Sequence, residues 1–177
     1  MQTLQINRLL TERLILIPYT TQICKNLLNN DFSDLVIMGL NKGKSWPDDD
    51  VMETIPRIIN NLSCVKSPTG FESWMIIKKD TLEIIGDAGF KGFNHLEKNA
   101  DIGYGILKEE RRNGYAEEAV TRLIKWAFLK RFVKEITAAC LLDNAGSIHL
   151  LKNLNFIETS RDHEMLYWSL PNKRYQK

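Results

Sequence analysis

Ile106-Leu107-Lys108-Glu109-Glu110-Arg111-Arg112-Asn113-Gly114-Tyr115-Ala116-Glu117-Glu118-Ala119 carries the end of a buried strand straight into the start of the clearest helix in the chain. Upstream, Ala100-Asp101-Ile102-Gly103-Tyr104-Gly105-Ile106-Leu107 reads as the strand. Downstream, Ala116, Ala119, Val120, Leu123, Ile124, Ala127 and Phe128 recur at the three-and-four spacing of one buried helical face. Glu135 to Leu142 follows as a largely apolar strand. Strand, loop, helix and strand in that order predict a parallel crossover, and hence an α/β fold rather than a purely antiparallel one. The loop also has a chemical reading. The first turn of a helix has backbone N–H groups without partners, and the helix dipole adds positive potential there. A glycine admits close approach by an anion, and neighbouring arginines supply charge and donors. Taken alone, Arg111-x-x-Gly114-x-Ala116 is also compatible with a merely solvated loop.

Working outward, Trp74 to Ile77 and Leu82 to Phe90 flank the turn Lys79-Asp80-Thr81 and join the 100–107 strand in an antiparallel meander. Its in-strand glycines mark bulges or a closely approached backbone. Earlier, Arg13 to Pro18 is a strand ended by proline, and Thr20 or Thr21 caps a helix through Cys24, Leu27 and Leu28. A second short helix is expected from Asp34 to Leu40. Asp50 with Glu53 fits a capping box for a third helix with Ile55, Ile58, Ile59 and Leu62 inward, and Pro56 predicts a kink or restart. Beyond the crossover come a helix over Asn144–Leu154 and two strands, Phe156–Thr159 and Met165–Leu170. The expected architecture is a mixed α/β sheet in one domain over 1–177, with no repeat or linker to divide it.

Composition bounds the partners. The 177 residues carry a net charge of +2, with 44% hydrophobic and 26% charged residues, which is ordinary for a soluble globular chain. Basic residues are dispersed, so neither nucleic acid nor an anionic membrane is an expected partner. Cys24, Cys64 and Cys140 form no metal-ligand spacing, and Met1-Gln2-Thr3-Leu4-Gln5-Ile6-Asn7 lacks the order of a signal peptide. Reduced thiols, no metal and a cytoplasmic location are expected.

A second segment changes the weight of the first. Asp143-Asn144-Ala145-Gly146-Ser147 and Leu151-x-x-Leu154-Asn155-Phe156 lie downstream on their own helix. With Arg111-x-x-Gly114-x-Ala116, they resemble the two cofactor segments of the GNAT N-acetyltransferases. Thr11-Glu12-Arg13-Leu14 and Ile85-Gly86 resemble the branch containing the ribosomal-protein (RimJ/RimL-type) acetyltransferases. The likeness covers about residues 9–171. It implies acetyl-CoA as cofactor, its pantetheine arm entering a gap between splayed strands 100–107 and 135–142. Backbone groups of Gly105, Ile106 and Leu107 would pair with that arm. Arg111, Arg112, Asn113, Gly114, Tyr115 and Ala116 would surround the pyrophosphate, Asn144 would bond pantetheine, and Ser147 would stand near the departing sulfur. The implied reaction is direct attack of a primary amine, a protein N-terminus or a small molecule, on the thioester.

Other side chains are read against that background. Asp101 and Tyr104 are candidates for the catalytic proton acceptor, with Glu72 reaching in from the neighbouring strand. Glu72 and Trp46 are candidates for contact with the acceptor, although a tryptophan as readily packs a helix onto a sheet. Asn155 replaces the family's glycine, and asparagine tolerates positive φ. Leu151 stands where some N-terminal protein acetyltransferases place a tyrosine acid. The turn around Arg161-Asp162-His163 is shorter than the substrate wall of many relatives. Two function classes follow: an acetyltransferase, monomeric or homodimeric, or a non-catalytic acyl-CoA-binding sensor or interaction module on the same fold.

Overall fold

A computed structural model describes residues 8–175, so the segment Met1–Asn7 lies outside the described residues. Eight strands form one sheet: β1 (Leu9–Leu10), β2 (Leu14–Pro18), β3 (Ser73–Lys78), β4 (Ile84–Phe90), β5 (Asn99–Ile106), β6 (Glu135–Leu141), β7 (Ile157–Arg161) and β8 (Met165–Pro171). Their order is β1-β2-β3-β4-β5-β6-β8-β7. The meander and the crossover are both present. Every neighbouring pair is antiparallel except β5 and β6. The mixed α/β sheet expected from the 100–142 stretch is thus observed.

Among the described residues, five α-helices cover the two faces: α1 (Thr21–Leu28), α2 (Ser33–Ile37), α3 (Asp49–Ser63), α4 (Tyr115–Leu129) and α5 (Ala145–Asn153). The alternation of strand side chains divides the core between them. Leu14, Leu16, Trp74, Ile76, Ala88, Ile102 and Ile136 pack with α4 and α5. Tyr19, Trp46, Met75 and Ile77 pack with α1 and α3 on the opposite face. Thr20 caps α1, its hydroxyl accepting from the Ile23 N–H at 3.2 Å. Two expectations are corrected. Asp48, not Asp50, caps α3, taking the Val51 N–H at 3.0 Å. Helix α3 also runs unbroken through Pro56. Pro56 lies on the exposed side, so the lost backbone bond falls where solvent reaches, while Val51, Ile55, Ile58 and Leu62 keep one apolar face buried.

The feature that creates a site is a tear in the sheet. β5 and β6 are in register only from Asn99↔Glu135 to Ile102↔Ala138. β5 stays paired with β4 as far as Ile106, and β6 with β8 as far as Leu141. Gly103–Ile106 and Ala139–Leu141 therefore part from one another. At the base of this region the meander is tight, since a Cβ on Gly89 would lie 2.4 Å from the Glu72 carbonyl oxygen.

Candidate active site

The loop before α4 leaves a run of backbone N–H groups without partners. Gly114 is the N-cap, at φ 78° and ψ 4°, and offers no side chain to the first turn. Arg112 also has positive φ, 65°. Among the described residues, the backbone N–H groups of Arg112 through Glu117 find no acceptor, the first helical bond being Glu118 N–H to the Gly114 carbonyl at 3.0 Å. Consecutive unpaired N–H groups at a helix start are a site for a polyanion. Arg13, from the Thr11–Leu14 segment, fixes the loop. Its guanidinium donates to the Asn113 carbonyl at 2.9 Å and to Glu118 at 2.7 Å, and lies 4.6 Å over the Tyr115 ring. Arg111 donates through Nε to the Ile106 carbonyl at 2.8 Å, while its Nη2 lies 3.9 Å from Asp50 at the edge of the cavity under α3. It braces the strand end, a role the spacing did not suggest.

Hydrogen bonding along β5 selects which residues face the tear. Leu107 N–H donates to Ile85 at 2.9 Å, and the Asp101 carbonyl accepts from Lys91 at 2.9 Å. In an antiparallel pair such bonded positions alternate, so Gly103 and Gly105 also turn their backbones toward β4. Tyr104 and Ile106 turn theirs toward the gap. This corrects the expectation for Gly105 and Leu107: their backbone groups are committed to β4, and Tyr104 joins Ile106 on the open edge.

On the α5 side of the gap, Asn144 caps the helix, its Oδ1 accepting the Ser147 N–H at 3.0 Å. One of that oxygen's two lone pairs is thereby engaged. The Tyr104 hydroxyl is buried and makes no well-formed hydrogen bond. Burial raises its pKa, the nearby Ser147 hydroxyl pulls it back, and Cys140 on β6 adds to the rise. Tyr104 and Ser147 are thus brought together across the mouth of the gap. Leu151 is buried in the core, and Asn155 takes φ 63°, the conformation expected of the residue in glycine's place.

On the α3 side lies a cavity of about 540 Å³. Its floor is β4 and β5, where Gly103 and Gly105 present no side chain and a Cβ on either would meet nothing within 4 Å. Asp87 rises from that floor opposite Gly105. Its carboxylate accepts no hydrogen bond and has no cation within 4 Å among the described residues. One side of it opens to the cavity while protein atoms crowd the rest. Burial pushes its carboxyl up to about 7, with the charge of Asp48 adding to the effect. Sequence reading passed over this residue. The signal was there, in a single acid inside the otherwise apolar and glycine-rich strand Ile84-Ile85-Gly86-Asp87-Ala88-Gly89-Phe90.

The remaining candidates sit elsewhere. Asp101 occupies the paired half of β5, ion-paired with Lys91 and 3.2 Å from the Thr137 hydroxyl. Glu72 is 1% exposed, and its carboxylate accepts from the Thr69 N–H at 2.7 Å, the Thr69 hydroxyl at 2.8 Å and the Gly70 N–H at 3.1 Å. Both carboxylates are engaged by the framework and line a separate hollow beyond the cavity. Trp46 is buried in the α1–α3 core, away from the cavity wall, because the turn into α3 folds it inward.

Comparison with known proteins gives one family. Residues 13–157 match the model of the acetyltransferase (GNAT) domain. An uncharacterised N-acetyltransferase, YjdG, of Bacillus subtilis (strain 168) is 38% identical over 131 residues, covering 74% of this chain and 78% of that one. Among solved structures, the ribosomal alpha-N-protein acetyltransferase RimL in complex with coenzyme A superposes with a TM-score of 0.64 at 14% identity, covering 91% of this chain and 95% of that one. A chimera of the Vibrio cholerae spermidine N-acetyltransferase SpeG with hSSAT gives 0.66 at 14% identity, covering 93% and 99%. At these identities the structural likenesses establish the fold. No described helix is long and apolar enough to cross a membrane.

Proposed function

This chain belongs to the GNAT acetyltransferases, N-acetyltransferases whose cosubstrate is acetyl-CoA, and on that premise we propose that it acetylates a primary amine bound beneath α3, with Asp87 taking the amine's proton. The observation that carries the reading is Asp87 itself: a partnerless carboxylate with a pKa near 7 in the cavity bordering the torn β5–β6 pair.

The cosubstrate supplies an activated acetyl thioester; the chain supplies placement and proton handling. The unpaired N–H groups from Arg112 to Glu117 would hold the pyrophosphate, with Arg112 adding charge. The Tyr104 and Ile106 backbone edge would receive the pantetheine amides. An amine enters as ammonium at neutral pH and must lose a proton before it can attack. Asp87 is matched to that task, because a base works best when its pKa lies near the working pH. Tyr104, on β5, and Ser147, on α5, would steady the departing sulfur and return a proton, a role supported by the effect of the Ser147 hydroxyl on the Tyr104 phenol. Asp101 and Glu72 have no part in this scheme.

A non-catalytic acyl-CoA sensor would need no desolvated base in its acceptor cavity, and Asp87 therefore favours transfer. Thiol release from acetyl-CoA across a panel of peptides, amino acids, polyamines and amino sugars tests the proposal. Turnover on at least one class is expected, with kcat/KM rising as pH passes through about 7. Acetyl-CoA binding with no thiol release on any amine would defeat it.

A further inference from the structure

The acceptor cavity is not uniformly acidic, as a site for a plain cation would be. It is polarised along its length. Asp48 caps α3 close enough to Asp87 for its charge to act there, and Asp50 follows in the first turn, 3.9 Å from the guanidinium of Arg111, which also lines this end of the cavity. Further along the same helical face come Thr54, Arg57 and Asn61. These positions follow the four-, three- and four-residue steps that keep side chains on one face. The strand beneath runs the same way, from Asp87 to Lys91, and Asn61 and Lys91 meet again at the wall of the neighbouring hollow.

The two cations at the far end differ in availability. Lys91 is ion-paired with Asp101. Among the described residues Arg57 has no carboxylate within 4 Å, and its one side-chain hydrogen bond is a long one, 3.4 Å, to the Thr54 hydroxyl. A guanidinium left unpaired in a cavity wall offers a planar fork suited to a carboxylate or phosphate. Seven residues of helix separate Asp50 from Arg57, about 10 Å at 1.5 Å per residue.

We propose that the acceptor is a doubly charged amine, its ammonium directed to the Asp87 end of the cavity and a carboxylate or phosphate seated on Arg57, with the rise of about 10 Å along α3 from Asp50 to Arg57 setting the scale of their separation. The inference rests on the transfer reading above and narrows its substrate class. It disfavours polyamines, which would place a second cation against Arg57. The 540 Å³ cavity matches a small zwitterion such as a short free peptide.

Triglycine has its amine and carboxylate about 10 Å apart when extended. Its amide keeps the amine and removes the anion, and an aminoalkyl phosphate of matched length replaces the carboxylate. We expect kcat/KM for triglycine to exceed that for triglycinamide by about tenfold, the value of one charge-assisted contact. Which anion is preferred separates a carboxylate acceptor from a phosphate one. Arg57→Gln should bring the ratio of acid to amide close to one, and Arg57→Glu should invert it. Equal use of acid and amide by the unaltered protein, or a ratio that survives Arg57→Gln, overturns the proposal. If none of these amines is acetylated, the failure belongs to the transfer reading. Calorimetry on the protein loaded with coenzyme A then decides the anion: tighter binding of triglycine than of its amide supports the Arg57 seat, and equal or weaker binding sinks it.

Discussion

Asp87→Asn lowers kcat/KM for acetyl transfer by about 10²- to 10⁴-fold, the usual contribution of a positioned general base, and yet yields a more stable protein at pH 8. Both effects come from one displacement. The carboxyl ionises near 3.8 in an unfolded chain and near 7 in the folded one. Between these values the folded state holds a proton that the unfolded state has released, so stability falls as pH rises through that window. Above about 7 the penalty is fully present and amounts to a few kcal/mol. Below about 4 both states are protonated and the penalty vanishes. Asparagine has no proton to lose and escapes the penalty at every pH. Chemical denaturation at pH 4 and pH 8 should show the variant gaining on the parent only at the higher pH, by about 1–3 kcal/mol. A variant equally active at pH 8 would remove Asp87 from the chemistry. A variant less stable there would mean that the carboxylate has a partner in the folded state.

Gly114→Glu should abolish acetyl-CoA binding while the domain stays folded. Two effects act together. Gly114 holds φ 78°, where a residue with a Cβ loses about 1–2 kcal/mol. The new side chain would start 3.4 Å from Arg13 Nη2, and it would set a negative charge at the start of α4, beside the N–H groups offered to the pyrophosphate, and repel it. The strain is small against the stability of a domain this size, so the far-ultraviolet spectrum should be retained. Calorimetry should show at least a hundredfold loss of affinity, on the order of 3 kcal/mol. Gly114→Ala, which carries the strain without the charge, should lose far less. Unchanged affinity in the glutamate variant would place the pyrophosphate elsewhere.

The crossover and the anion loop were legible because each is a local pattern. The 3.6-residue repeat from Ala116 to Phe128 identifies a helix on its own, and a glycine before it identifies its start. The choice of acid among Asp101, Glu72 and Asp87 was not legible in that way. Asp101 is a candidate in the sequence because it lies on the strand beside the cleft, as Tyr104 does, but only the register shows that the tear begins after Ile102, past Asp101. Glu72 is neutralised as a candidate by a turn of its own making, which no periodicity announces. Asp87 is marked in the sequence as a lone acid in a glycine-rich strand, but its place opposite Gly105 on the floor of a cavity under α3 is a tertiary fact. Pro56 illustrates the converse. A strong local rule against helix continuation yielded to the burial of Ile55, Ile58 and Leu62 on the opposite side.

The torn β5–β6 pair has a consequence for how the molecule exchanges hydrogen with water. In the middle of an eight-stranded sheet, slow exchange would ordinarily be uniform. Here it should alternate along a single strand. The amides of Gly103, Gly105 and Leu107 are bonded into β4 and should be protected, whereas those of Tyr104 and Ile106 open on the gap and should exchange faster by orders of magnitude. Adding coenzyme A should erase the alternation by slowing the two fast amides alone. The isotope pattern of five consecutive residues would then trace the cosubstrate's path without a crystal of the complex.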